Sequence, residues 1–295
     1  RFRGTGALSL LAQWRLYTHD QAWPADWRCI RDGDLRVSRV RIQTAQRLGM
    51  ALYQIHISYD GTQFQGYQRQ IAYRTVQGEI EEALRKIGWN EKSIISSGRT
   101  DSGVHADEQI AIIEMQCMHP KENLQNAINA YLPEDVAVTG IRELLDGNFH
   151  PRFNAKSRIY RYQVYTNAIR LPLLERYYWK VWPAVEIDRM NHAASQLIGQ
   201  HDFRSFGKPY ETNGRTERVM MSAEWLKADT DNRLIFRAEA NSFLFHMMRR
   251  MVFILIKVGQ KQISIQEVAN ALAGNDNLPP GIAPAKGLFL EKINY

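Results

Sequence analysis

The segment from Gly98 to Ala106 holds a dense set of reactive side chains, Gly-Arg-Thr-Asp-Ser-Gly-Val-His-Ala. Its one carboxylate, Asp101, could act as a nucleophile, a base or an electrostatic stabiliser. Gly98 and Gly103 bracket this acid and predict a sharp backbone turn that can approach a ligand closely. The alternative is an ordinary Asp-Ser-Gly turn, in which Asp101 only caps its own backbone.

Apolar runs lie on both sides of this segment, at 94–95 and 110–113, and predict two strands, near 93–97 and 104–116, joined by a polar loop. A loop held by a rigid scaffold is a common place for reactive groups. The same patterning predicts further strands at 52–59, 136–143, 158–165, 217–228, 233–240 and 287–293. It predicts helices at 75–86, 121–131, 187–198, 243–258 and 264–273. Together these elements indicate an α+β fold with antiparallel character.

The composition is typical of a soluble globular protein, with 295 residues of which 44% are hydrophobic. No apolar run approaches the ~18 residues of a membrane span, so we expect a cytoplasmic protein without a membrane partner. Cys29 and Cys117 lie far apart and the histidines are scattered singly. This spacing suits neither a disulfide framework nor zinc, which argues against a zinc deaminase; we expect no metal.

The net charge of +7 is unevenly distributed. Residues 1–49 hold nine Arg, no Lys and four Asp, a net of +5, whereas 50–295 hold 29 Lys and Arg against 27 Asp and Glu, a net of +2. A transit peptide would be acid-poor and amphipathic, which does not fit 1–49. We expect an extra N-terminal segment that is disordered or non-native, with Met50 as the true start.

Because the body is nearly neutral, local basic clusters matter more than overall charge. One such cluster interleaves with the aromatic residues Tyr160 and Tyr162 and consists of Arg152, Lys156, Arg158 and Arg161. This combination favours RNA, since bases stack on aromatic rings while cations meet phosphates. The alternative is that these four cations are ordinary solvated surface charges without a binding role.

The segment 99–106 resembles the signature of the tRNA pseudouridine synthase A (TruA) family, which usually has Ala where this chain has Ser102. Five more segments resemble the same family, in the family's order: 59–68, 150–162, 199–206, 243–249 and 283–290. The resemblance spans Met50 to Tyr295. It implies two RNA-recognition-like (ferredoxin-like) halves, 50–155 and 156–295, whose mainly antiparallel sheets join across a central catalytic cleft.

The resemblance also implies an activity, the isomerisation of uridine to pseudouridine in the anticodon stem-loop of tRNA, at positions 38, 39 and 40. It implies a homodimer that needs no cofactor. The reaction breaks a C–N glycosidic bond and forms a C–C bond to the same sugar. A side chain of the protein must therefore act on the sugar or the base while the base is detached. The resemblance assigns this role to Asp101, with attack on the base, attack on the ribose and removal of a sugar proton all left open.

Arg249 lies in the predicted helix 243–258 with apolar neighbours at 245, 252, 253 and 256. A guanidinium on an apolar face is costly unless it meets a carboxylate. We therefore expect Arg249, and not its neighbour Arg250, to need a buried partner. The alternative is an outward-pointing side chain. The family motif pairs Arg249 with Asp101.

Tyr160 shares one face of a predicted strand with Arg158 and Tyr162. It is either a cross-strand packing ring or a platform for an extruded base. The resemblance makes it the residue that stacks on the target uracil. Arg99 either anchors the loop or, as the resemblance implies, helps to flip the base and contacts the RNA backbone. We predict that Arg152, Lys156 and Arg158 also bind substrate.

Three other functions compete with this hypothesis. A non-catalytic RNA-binding protein or tRNA chaperone would keep the sheet without turnover, and the presence of Asp101, Tyr160 and Arg249 argues against it. A ribonuclease would cut the strand. A hydrolytic triad of His201, Asp202 and Ser205 is suggested by spacing alone, whereas triads are recognised by geometry.

Overall fold

The computed structural model describes residues 50–116, 121–145, 148–211, 214–228, 232–275 and 277–295. The predicted N-terminal segment 1–49, and with it Cys29, lies outside these ranges, as does Cys117. None of the helices within them is both long and apolar enough to cross a bilayer.

The described strands form one sheet of ten strands. They are β1 Met50–Tyr59, β2 Ile95–Ser96, β3 His105–Gln116, β4 Val136–Leu144, β5 Ser157–Thr166, β6 Trp179–Val181, β7 Gly199–Asp202, β8 Glu217–Lys227, β9 Arg233–Ala240 and β10 Leu288–Asn294. Their order is β4-β1-β3-β10-β5-β9-β8-β7, with β2 beside β3 and β6 beside β5. Only β10–β3 and β5–β6 are parallel, so the mainly antiparallel α+β prediction is confirmed.

Five α-helices pack on this sheet in the described part of the chain. They are α1 Val76–Lys86, α2 Lys121–Asn129, α3 Ile187–Ser195, α4 Met247–Gly259 and α5 Ile265–Leu272. Local sequence explains where two of them begin. The Thr75 side chain accepts a hydrogen bond from the Gly78 amide at the start of α1, and Ser264 with Glu267 forms a capping box at the start of α5.

The sheet carries two hydrophobic cores. One lies around α1 and α2, and the other lies around α3, α4 and α5. The last strand serves both, because Leu288 packs into the second core while Leu290 and Ile293 pack into the first. β10 also joins β3 to β5, so the last strand completes the sheet between the cores. The ferredoxin-like character of each half remains a prediction.

The predicted helix 243–258 is wrong at its start, since α4 begins only at Met247. Just before it, Phe245 forms an isolated antiparallel bridge with Lys208 through two hydrogen bonds of 3.2 and 2.9 Å. His246 then adopts a left-handed conformation with φ of 63°. Phe245 continues the apolar pattern of the helix although its backbone belongs to this bridge. The short strands β6 and β7 escaped prediction because three or four residues carry too little pattern.

Candidate active site

The loop that carries Asp101 is held against the segment that follows β1. The amide of Tyr67 donates to the Thr100 carbonyl at 3.1 Å, and the amide of Gly103 donates to the Phe64 carbonyl at 3.3 Å. The Thr100 hydroxyl also shares a 2.8 Å hydrogen bond with Tyr59. The two loops therefore satisfy each other's backbone hydrogen bonds, and these bonds fix the position of the loop that carries the carboxylate.

Glycines make this loop contact possible, though not both of those that the sequence indicated. Gly103 has a φ of +76°, as a sharp turn requires. Gly98 has no positive φ, and a Cβ there would meet nothing within 4 Å, so its predicted part in the turn is wrong. The close approach instead falls to Gly61, where a Cβ would lie 2.0 Å from the Val104 carbonyl oxygen.

We expect Gly61→Ala to separate the two loops, because a backbone carbonyl cannot move aside as a flexible side chain can. The expected loss is at least the ~1–3 kcal/mol typical of overpacking, with lower activity. Gly98→Ala is the matched control and should leave the melting temperature within a few degrees. Equal melting temperatures for the two variants would show that the loops are not tightly apposed.

The Asp101 carboxylate is held through one of its two oxygens. Nη1 of Arg249 lies 3.2 Å from Oδ2, and Nε2 of His246 lies 3.4 Å from the same oxygen. Among the residues that the structure describes, these are all the hydrogen bonds and ion pairs of this side chain, so Oδ1 is left unengaged. A carboxylate anchored at one oxygen can react at the other.

Arg249 lies in the first turn of α4, and 14% of its side chain is exposed. Its Nε donates to the Ala283 carbonyl at 2.8 Å, while Nη1 faces Asp101. The helix buries Val252 and Ile256 near it, as the apolar pattern predicted. Two separate acceptors thus fix the plane of the guanidinium.

Arg250 also has partners, although the sequence predicted that only Arg249 would need one. It donates to the carbonyl oxygens of Ser205, Leu278 and Pro279, and Nη1 lies 2.9 Å from that of Gly281. Backbone carbonyls can satisfy a guanidinium as well as a carboxylate can, and sequence pattern does not reveal them. Arg250 therefore fastens the loop before β10 to α4.

His246 is a site residue that sequence reasoning missed. Its position three residues before Arg249 was no sufficient signal, because position alone does not reveal the left-handed backbone at this residue. Burial lowers the pKa of His246, which outweighs the opposing effect of Asp101, so a neutral ring with Nε2 as the donor fits the contact. Its left-handed backbone is of the kind that functional sites often hold.

Tyr160 projects from β5 and packs against both hydrophobic cores. Its ring meets Phe243 edge-on at a centroid distance of 5.0 Å. Burial raises the pKa of the Tyr160 hydroxyl, with further contributions from Tyr210 and Asp101. This tyrosine therefore lies near the carboxylate as a neutral, half-buried ring.

The structure brings together some of the predicted cations and separates others. Arg99 and Arg152 are exposed, and no described hydrogen bond or ion pair engages either guanidinium. Partial burial of the Arg99 guanidinium, followed by the charge of Arg152, lowers the pKa of Arg99. Arg158 joins them, although its guanidinium donates to the carbonyls of Ser97, Arg152 and Asn241.

Arg161 and Lys156 are placed differently. Arg161 alternates with Tyr160 along β5, pairs with Asp107 and lies over the Phe289 ring at 4.2 Å. Lys156 is exposed just before β5, and its amide donates to Asn294. Of the predicted RNA-binding cations, Arg99, Arg152 and Arg158 are thus the ones that lie near Tyr210.

His105 ties the carboxylate loop to β10. Its Nδ1 accepts from the Gly61 amide at 3.0 Å, and Nε2 lies 3.2 Å from the Lys286 carbonyl oxygen. The ring stacks on Phe289 at 4.5 Å. Burial lowers the pKa of His105 and outweighs the opposing charge of Asp60, so the ring is neutral in the folded protein.

This lowered pKa predicts a pH dependence of stability. The folded state binds fewer protons at His105 than the unfolded state, whose pKa is about 6.5. The contribution of His105 to the free energy of unfolding is therefore complete above the unfolded-state pKa. It is lost as the pH falls from that value toward the lower pKa of the folded state. We expect the free energy of unfolding to fall below about pH 6.5, and the fall to be shallower in His105→Gln. Urea titrations at several pH values measure this, and equal slopes would contradict it.

Comparison with known proteins places these residues in a family. A family model described as tRNA pseudouridine synthase matches residues 55–154 and 193–295. The chain is 38% identical over 240 residues to "tRNA pseudouridine synthase A" of Pseudothermotoga lettingae, covering 81% of this chain and 97% of that protein. It is 40% identical over 242 residues to the protein of that name from Geobacillus kaustophilus, covering 81% and 92%.

Among solved structures, a chain in the crystal structure of a Cbf5-Nop10-Gar1 complex aligns with 81% of this chain and 48% of its own length. The identity is 10% and the TM-score 0.33, a likeness too low to add to the assignment. The family model covers well over half of the chain, including both Asp101 and Arg249. The chain therefore belongs to the tRNA pseudouridine synthase family.

Proposed function

We propose that this protein isomerises uridine to pseudouridine at positions 38, 39 and 40 of the tRNA anticodon stem-loop, with Asp101 as the nucleophile. The observation that carries the proposal is the pairing of Asp101 with Arg249 beside Tyr160, in a chain of this family. We further propose that it acts as a cytoplasmic homodimer and needs no cofactor.

The overall reaction is balanced without an external reagent. The bond between C1′ of the ribose and N1 of uracil breaks, a bond from C1′ to C5 forms, the C5 hydrogen leaves as a proton and N1 gains a proton. Electrons stay within the nucleoside, so the protein has to hold the detached base and move protons. In this proposal the unengaged Oδ1 of Asp101 reacts with the substrate while Oδ2 stays anchored.

Arg249 and His246 are proposed to aim this carboxylate. An arginine cation near a carboxylate stabilises its negative charge, which a nucleophile requires. The Arg249 side chain is largely shielded from water, so this attraction is stronger than in an exposed pair. The hydrogen bond from Arg249 Nε to the Ala283 carbonyl holds the guanidinium in place beside the carboxylate.

Tyr160 is proposed to stack on the target uracil once that base has left the RNA stack. An enzyme that rearranges a base must extrude it, and an aromatic ring then replaces the lost stacking. The raised pKa keeps the Tyr160 hydroxyl neutral, so it brings no charge next to the carboxylate. Arg99 and Arg152 are proposed to meet the phosphates on either side.

The test is to map pseudouridine in tRNA transcripts after incubation with the purified full chain. Chemical labelling of pseudouridine followed by primer extension identifies each modified position. We expect modification at 38, 39 and 40, and its loss when the uridine at each position is replaced by cytidine. Pseudouridine only at other positions, or none with tRNA still bound, would contradict the proposal; the second result would favour a non-catalytic RNA-binding protein.

The proposed phosphate contacts predict a change in the salt dependence of binding. Removing Arg99 and Arg152 together should weaken tRNA binding and reduce its salt slope by roughly one unit or less per lost phosphate contact. Arg161→Ala is the control for the loss of an arginine as such, because Arg161 is paired with Asp107 away from Tyr160. Filter binding over a range of salt concentrations gives the slopes. An unchanged slope in the double variant would place the RNA elsewhere.

A further inference from the structure

The short segment 243–245, just before α4, carries one ring of each of two aromatic pairs. Phe243 meets Tyr160 at a centroid distance of 5.0 Å, and Phe245 meets Tyr210 at 6.0 Å. Leu244, between the two phenylalanines, is buried in the core. Phe243 packs against the same core, whereas Phe245 is exposed. We call Tyr160–Phe243 the inner pair and Tyr210–Phe245 the outer pair.

The outer pair is exposed yet firmly held. Tyr210 is 56% exposed and Phe245 is 36% exposed, whereas both rings of the inner pair are half-buried. The hydrogen bonds between Lys208 and Phe245 fix the two backbones that carry these rings. The His246 ring stacks on Phe245 at 3.7 Å, and its Nε2 reaches Asp101. The exposed rings are therefore connected to the reactive carboxylate through one intervening ring.

Cations without acidic partners surround the outer pair. Tyr210 interacts electrostatically with the Asp101 carboxylate and with Arg152, Arg99 and Arg158, and Lys208 is exposed two residues before it. In the described residues, Arg99 and Arg152 have guanidiniums free of any carboxylate. Exposed rings beside unpaired cations match a nucleotide, whose base stacks while its phosphate is neutralised.

We propose that the outer pair, Tyr210 and Phe245, is a stacking site for the nucleobase next to the target uridine. Extruding the uridine removes the stacking partner of its neighbour, and a second exposed ring close to the first can replace that partner. The inference rests on the proposed function, because it takes a uridine of RNA as the occupant of the Asp101 site.

The test uses tRNA assembled by ligation from synthetic halves, with 2-aminopurine on either side of the target uridine in separate molecules. Stacking on an aromatic ring quenches the fluorescence of this base. We expect quenching at one of the two positions on binding to the unaltered protein. In Tyr210→Ala the quenching should be lost and tRNA binding should weaken about tenfold. Tyr210→Phe, which keeps the ring, should retain both.

Tyr131→Ala is the matched control, because Tyr131 is an exposed tyrosine that lies beside Lys86 at the end of α2. It should behave as the unaltered protein. Quenching that persists in Tyr210→Ala, or quenching at neither position while tRNA is bound, would overturn the stacking site. Pseudouridine formation is measured in parallel. Its absence with Tyr210-dependent quenching intact would refute the proposed function and leave the stacking site standing.

Discussion

Asp101→Asn is expected to abolish pseudouridine formation while tRNA binding is largely kept. Asparagine retains the size of the side chain and an oxygen that Arg249 can contact, but it removes both the negative charge and the nucleophile. Since the loop is held mainly by backbone bonds, such as that from Tyr67 to the Thr100 carbonyl, the fold should survive. The expected loss of turnover is to below detection.

Ser102→Ala is the control for Asp101→Asn. Ser102 is the next residue in the same loop, and its hydroxyl donates to the Phe64 carbonyl at 3.1 Å without touching the carboxylate. Its loss should change turnover by less than about tenfold, which is ~1.4 kcal/mol of barrier. Comparable losses in both variants would mean that loop position, and not the carboxylate, limits the reaction.

Arg249→Ala is expected to abolish turnover and to lower stability. It removes the closer of the two groups that hold Asp101 Oδ2, and it opens a gap beside the buried Val252. Breaking a buried ion pair costs about 3–5 kcal/mol. We expect a value at or below the lower end, because water reaches part of the Asp101 side chain, which is 23% exposed. Chemical denaturation gives this value directly.

Arg249→Lys separates charge from geometry. The ammonium can restore a positive charge near Asp101, but it lacks the planar fork that also contacts the Ala283 carbonyl. We expect most of the stability to return while turnover stays far below that of the unaltered protein. Full turnover with lysine would show that charge alone is enough.

Much of the fold could be predicted from the sequence because the strands and helices carry clear periodicity. β9 occupies Arg233–Ala240 as predicted, and β3 and β5 differ from prediction by one residue at most at each end. The start of α4 could not be predicted, because Phe245, which continues the apolar pattern, pairs instead with Lys208, which is distant in the sequence. Propensity and pattern are local, and such long-range pairing overrides them.

In the candidate site, too, some features could be predicted from local sequence and others depend on contacts between distant segments. The loop around Asp101 stands out by composition, and its closeness to Arg249 follows from the family resemblance. The parts of His246 and Tyr210 could not be predicted, because they depend on a left-handed residue and on a ring brought in by another segment. Nor could pattern tell that Arg161 would pair with Asp107 while Arg152 would not.

The most direct test of the central claim, that Asp101 is the nucleophile, is a single-turnover assay with enzyme in excess over tRNA labelled with tritium at uracil C5. The proton released on isomerisation counts each turnover at the chemical step. The unaltered protein should release tritium from the uridines at 38, 39 and 40, and Asp101→Asn, with binding verified in the same samples, should release none. Release by Asp101→Asn at an appreciable rate would contradict the proposed role of Asp101.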